Sequence, residues 1–131
     1  MTNTNNFPND FQDYLNRHTL IGIKAGVDRE SFLNIWMVQV GDRFFSRSWN
    51  KSPNSWFTSF ITSGVGQIKY GESIINVLGK KVLPNDPVHE SINMAYLQKY
   101  DQPENLVYSR GITQPEYADY TMEFLIDPNQ Y

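Results

Sequence analysis

The 131-residue chain has no cysteine. That absence removes disulfide frameworks, thiol nucleophiles, iron–sulfur clusters and cysteine-ligated zinc together. Histidine is scarce. His18 and His89 fall in different helical regions with no HExxH or other ligand spacing, so no metal site is expected, and His89 reads as an ordinary surface or capping side chain in the first turn of a helix. There is no Gly-x-Ser-x-Gly elbow and no Walker sequence, and Gly64-x-Gly66 runs on to Lys69 in a strand rather than to a third glycine in a helix. No catalytic side-chain set can be named. Basic excess is missing as well: 11 Lys+Arg stand against 14 Asp+Glu, which argues against a nucleic-acid partner. The longest apolar run, Ile35-Trp36-Met37-Val38, is far short of the ~18 residues of a membrane span. Met1 to Asn9 lacks a basic segment followed by an apolar one, so a cytoplasmic protein with no membrane partner is expected.

What is present suffices for a core. The chain is 40% hydrophobic and 15% aromatic with 19% charged residues, outside the range of disordered chains. Its length suits one domain over residues 1–131, with 1–7 as a flexible leader. Such a domain buries roughly two-thirds of its unfolded surface without a staple.

Periodicity then orders the chain. Phe11, Tyr14 and Leu15 give one face of a helix over Pro8 to Arg17, and Ile21, Ile23 and Ala25 alternate in a first strand. Phe32 to Val40 is nearly continuously apolar and reads as a central strand buried on both faces. Gly41-Asp42 is a hairpin turn returning through Arg43 to Trp49, where Phe45, Arg47 and Trp49 share one face and Phe44, Ser46 and Ser48 the other. Ser52-Pro53 combines an N-cap with proline at the first helical position, so a helix is expected to start there and to end at Gly64 and Gly66. A second hairpin turns at Gly71-Glu72. Asp86-Pro87 repeats the cap and opens a helix to Tyr100, Asp101 to Ile112 reads as irregular, and Asp119 to Ile126 is a last strand. Six mainly antiparallel strands with three helices predict an α+β fold built on a barrel or strongly curled sheet.

Charge is unevenly placed. Residues 17–81 carry nine basic and four acidic side chains, whereas residues 82–131 carry two basic and eight acidic ones. Arg43, Arg47, Lys51 and Lys69 form a stretch with no acid between them. This stretch runs into the expected helix start, where unpaired backbone N–H groups and the positive end of the helix dipole suit a phosphate. Plain capping of a surface helix is the alternative. Trp49, Trp56, Phe57 and Phe60 cluster around the same junction, as core or as a wall for a flat ring.

Ser52-Pro53-Asn54-Ser55-Trp56-Phe57, then Gly64 to Lys69 and a hairpin, resembles the Pro-x-Trp-Tyr, strand and glycine core of the FMN-binding split-barrel superfamily. The Arg47-Ser48 strand end and Tyr96-Leu97-Gln98-Lys99-Tyr100 extend the resemblance, which covers Thr19 to Ile126 and is nearest an uncharacterised family similar to deazaflavin-dependent nitroreductases. The resemblance implies a split β-barrel holding FMN or a deazaflavin, with Arg47, Ser48, Lys51 and Ser52 toward its phosphate and Trp56 on the helix that closes the site. It further implies hydride transfer to a small oxidised substrate, and a homodimer. The loop Gly26 to Ser31 departs from the phosphate loop of the deazaflavin reductases, having one cation and two acids. That departure supports the competing expectation: a cofactor-free module on the same fold that binds a small ligand or another protein. The oxidoreductase is the leading expectation and the binding module the alternative.

Overall fold

The structure is a computed structural model and describes residues 7–26, 31–49, 51 and 55–130. Residues 1–6 of the expected leader, most of the loop from Gly26 to Ser31, and Ser52-Pro53 lie outside the described residues; Phe7, expected in the flexible leader, is instead buried in the core, its ring packed on Phe11 and Phe44.

The elements in chain order are α1 (Asn9–Arg17), β1 (Ile21–Ala25), β2 (Leu33–Ile35), β3 (Val38–Val40), β4 (Arg43–Arg47), α2 (Trp56–Ser63), β5 (Val65–Tyr70), β6 (Ser73–Lys81), α3 (Val88–Lys99), α4 (Leu106–Ile112), a 3-10 turn (Pro115–Tyr120) and β7 (Thr121–Ile126). The strands form one seven-stranded sheet of order β2-β1-β5-β6-β7-β4-β3, every neighbouring pair antiparallel. The α+β curled-sheet expectation therefore holds, with seven strands rather than six and four α-helices rather than three among the described residues.

The extra strand corrects the reading of Phe32 to Val40. This run is no central strand. It breaks at Trp36-Met37 into β2 and β3, which occupy the two opposite edges of the sheet. Six interstrand spacings would separate those edges by about 29 Å in a flat sheet. The three Cα steps from Ile35 to Val38 reach no more than about 11 Å. The sheet is thus obliged to curl until its edges meet at the Trp36-Met37 link, as in a barrel split along one seam.

Two apolar clusters lie on the two faces of the curled sheet. The first joins Phe11 and Leu15 of α1 and Trp56, Phe57 and Phe60 of α2 to inward side chains such as Ile21, Ile23, Phe44, Ile68, Val77, Met122 and Phe124. The second joins Ile92, Tyr96 and Tyr100 along α3 with Val38, Phe45, Val82, Ile112 and Tyr117. Period-two alternation makes the division: Phe44 and Phe45 are adjacent, both fully buried, and belong to different clusters.

Helix α2 begins at Trp56, later than Ser52-Pro53 led one to expect, because Ser55 is its cap: the Ser55 Oγ accepts from the Thr58 N–H at 3.2 Å. Gly64 closes it with φ +74°, and Gly66, expected to share that role, is instead in β5. The Asp86 cap of α3 is present, its Oδ1 accepting from the Val88 N–H at 2.9 Å. The segment read as irregular contains α4, whose seven residues have no side-chain cap and follow a non-periodic stretch, so nothing local announces it. Among the described residues no helix is long and apolar enough to cross a membrane.

Candidate functional site

One largely apolar cavity of about 280 Å³ opens where the sheet seam, the end of β4, the start of α2 and the end of α4 converge. Its walls are Leu20, Leu33, Asn34, Ile35, Trp36, Ile112 and the consecutive Arg47, Ser48 and Trp49, with Trp56 opposite. Each tryptophan comes from a different part of the chain and is held by its own neighbours.

Trp36 sits in the two-residue link of the seam. Its ring stacks on Tyr100 with centroids 3.8 Å apart and planes within 6°. Tyr100 is fixed in turn, its hydroxyl donating to Thr19 O at 2.8 Å and accepting from the Met37 N–H at 3.2 Å. Burial pushes the Tyr100 phenol far above its usual range, so it serves as a neutral brace. Trp49 follows β4 and packs edge-on against Tyr108 and Tyr117 while 45% exposed. Trp56, only 7% exposed, leans on Phe124 and Phe60 and shows the cavity one edge of the inner core.

Arg47 is 3% exposed. Its guanidinium is turned toward α3, α4 and β7: Nε donates to Thr121 Oγ1 (3.0 Å), Nη1 to Asn93 Oδ1 (2.5 Å) and Ile112 O (3.1 Å), and Nη2 to His89 Nδ1 (3.0 Å). None of these partners is a carboxylate. Burial lowers the Arg47 pKa below its usual value, yet a guanidinium keeps its charge in proteins. His89 is accordingly no surface residue. Its Nε2 faces Leu83 O at 2.7 Å and must donate, so Nδ1 is left to accept from Arg47. The Arg47 N–H donates to the Tyr96 hydroxyl at 2.8 Å, and full burial raises that phenol to about 12.

Of the residues expected at a cofactor, the fold brings Arg47, Ser48 and Trp56 to one cavity. Ser48 is buried there, its N–H donating to Tyr120 O at 3.0 Å. Lys51 is not on the cavity wall. It pairs with Glu116 and stands over the Tyr117 ring at 4.5 Å, and the Glu116 bond raises its pKa. Ser52 lies outside the described residues. The acid-free basic stretch draws its carboxylates from the acidic tail: Arg43 makes a two-pronged pair with Glu123 across β4 and β7 at 2.8 and 2.9 Å, and Lys51 makes a single contact with Glu116.

Sequence reasoning missed Trp36, Asn34, Leu20 and Ile112. Trp36 lay in the longest apolar run, but that composition suits a buried strand as well as a seam, and the distinction is made by pairing. Ile112 sits in the unannounced α4.

A flavin-type group would make two demands here. Trp36, Trp49 and Trp56 fit the flat ring, and the volume is near the lower end of small-ligand pockets, ~300–1,000 Å³. The phosphate arm does not fit the described residues, since the Arg47 guanidinium is engaged by four protein acceptors and Lys51 by Glu116. Among the described residues no three His, Asp or Glu side chains come together as metal ligands.

Residues 23–124 match the model of DUF2255, a family described as an uncharacterized protein conserved in bacteria, and the chain belongs to that family. The matched segment contains every cavity residue except Leu20. No curated protein matches the chain.

Proposed function

We propose that this DUF2255 member is a small-ligand-binding protein whose tryptophan-walled cavity takes one planar ring compound lacking a phosphate arm. The observation that supports this reading is the convergence of Trp36, Trp49 and Trp56, from three separate elements, on a cavity of about 280 Å³. Aromatic walls offer stacking worth about 0.5–1.5 kcal/mol per ring pair beyond burial. The Asn34 and Ser48 positions supply the few polar groups that orient a ligand in such a pocket.

A second reading is the FMN or deazaflavin oxidoreductase implied by the split-barrel resemblance. The curled seven-stranded sheet and the placement of Trp56 beside the β4 end favour it. The engaged cations Arg47 and Lys51 weigh against its phosphate. If bound, a flavin would itself supply the hydride chemistry, and the protein would hold and orient the ring.

Titration of tryptophan fluorescence separates the two. Lumichrome, the bare ring, and riboflavin, which adds a ribityl chain but no phosphate, should quench with micromolar affinity, and FMN should bind no tighter than riboflavin. FMN binding more than about tenfold tighter, the equivalent of a charged contact worth ~1.4 kcal/mol, would transfer the case to the second reading. Trp49→Ala, at a half-exposed position, should leave the fold intact and weaken lumichrome about tenfold.

A further inference from the structure

A second concavity lies beside β3. It is a groove of about 270 Å³ between α1, β3 and α3, lined by Asn16, Val38, Gln39, Ala95, Gln98 and Lys99. Lys99 lies in the last turn of α3, and its Nζ reaches across to donate to Met37 O at 2.8 Å. The same Nζ stands 5.2 Å from the centroid of the Tyr100 ring. No carboxylate pairs with it among the described residues, and the ion pairs Arg43–Glu123 and Lys51–Glu116 lie elsewhere. A lysine used only for solubility would extend to water, and one used for charge would find an acid. This one does neither.

We propose that Lys99 is a carbonyl-reactive amine and that the groove admits a small, uncharged, polar aldehyde, which it captures as a Schiff base. The ligand class follows from the lining: apart from Lys99 the groove presents amides (Asn16, Gln39, Gln98) and small apolar side chains, which recognise hydroxyl and carbonyl groups and give no counter-charge to an anion or a cation. The amine must be neutral to attack. Desolvation alone lowers its pKa to about 8, with no charged neighbour contributing, so a sizeable neutral fraction exists near neutral pH. A neutral amine can still donate one hydrogen to Met37 O while its lone pair attacks the carbonyl carbon. The C–N bond forms as the carbonyl π bond opens, proton transfer gives a carbinolamine, and loss of water leaves the imine. No oxidant or reductant enters this exchange.

Glycolaldehyde with cyanoborohydride, which reduces the imine to a stable secondary amine, tests the proposal on the intact protein at pH 7.5. Peptide mass spectrometry over time should show Lys99 modified at least about tenfold faster than Lys24, Lys51, Lys69, Lys80 and Lys81, in keeping with a pKa more than two units lower. Equal rates across the six lysines, or a Lys99 slower than the rest, would overturn it. Lys99→Arg, checked for folding by circular dichroism, should abolish the fast phase, and its persistence in a folded variant would also overturn the assignment. Because the comparison among lysines is made on the unaltered chain, the test does not depend on the variant. Pyridoxal 5′-phosphate should prefer Lys99 less strongly than glycolaldehyde does; the reverse order would contradict an uncharged ligand.

Discussion

Arg47 takes a full charge into the interior and meets it with four neutral acceptors, tying β4 to α3, α4 and β7. Replacing a buried ion pair by apolar residues is often harmless because both charges leave together. Here only the cation could leave. Arg47→Met would strand the Ile112 carbonyl, Asn93 Oδ1 and His89 Nδ1, so a loss of about 2–4 kcal/mol in the urea unfolding free energy is expected. A change under about 0.5 kcal/mol would mean the acceptors are satisfied otherwise. Gly66 and Gly79 lie on the neighbouring strands β5 and β6, beneath the Phe60 ring. A Cβ on either would overlap that ring, and on Gly66 also the Lys24 carbonyl. Gly66→Ala should therefore cost about 3 kcal/mol or more, read as a fall in the urea midpoint. At this scale the sequence was half legible. Alternation correctly placed Arg47 on the face of Phe45 and opposite Phe44. It could not say that this face is roofed by α3, which turns a candidate phosphate ligand into a buried tie.

Elements with strong local signals were readable: the Gly41 and Gly71 hairpins, the Asp86 cap and the Gly64 stop. Those defined by pairing were not. Phe32 to Val40 has one composition and two destinations, and only the closure of the sheet tells an interior strand from a seam. Helix α3 and its C-cap also concentrate three shifted groups, Tyr96, Lys99 and Tyr100, with a consequence for pH. Lys99 is lowered to about 8 against ~10.4 for a free lysine, so between these values the unfolded chain holds more protons and stability rises with pH. The phenols are raised, Tyr96 to about 12 and Tyr100 further. Above about pH 10 the unfolded chain ionises while the folded one does not, and stability falls. Urea midpoints measured from pH 7 to 11 should climb above pH 8, peak near pH 10 and then drop. The rise should be roughly 2 kcal/mol. A monotonic fall from pH 8 would show that Lys99 is protonated normally.

The whole molecule is shaped by a short link. Because Trp36-Met37 joins both edges, the sheet curls, and the curl places residues from the seam, from β4 and from the α2 and α4 ends around one cavity. The uneven charge along the chain belongs to the same scale: the basic middle and acidic tail meet where β4 and its flanks lie beside β7 and the turn before it, as in Arg43–Glu123 and Lys51–Glu116. That pairing explains why an acid-free basic stretch need not be an anion site. The central claim is that the cavity receives a flat ring without phosphate. Its most direct measurement is a tryptophan-fluorescence titration of the purified protein with lumichrome, riboflavin and FMN in parallel. Saturable micromolar quenching by all three, with FMN no tighter than riboflavin, is the predicted result; no saturable quenching by any of them would contradict the claim.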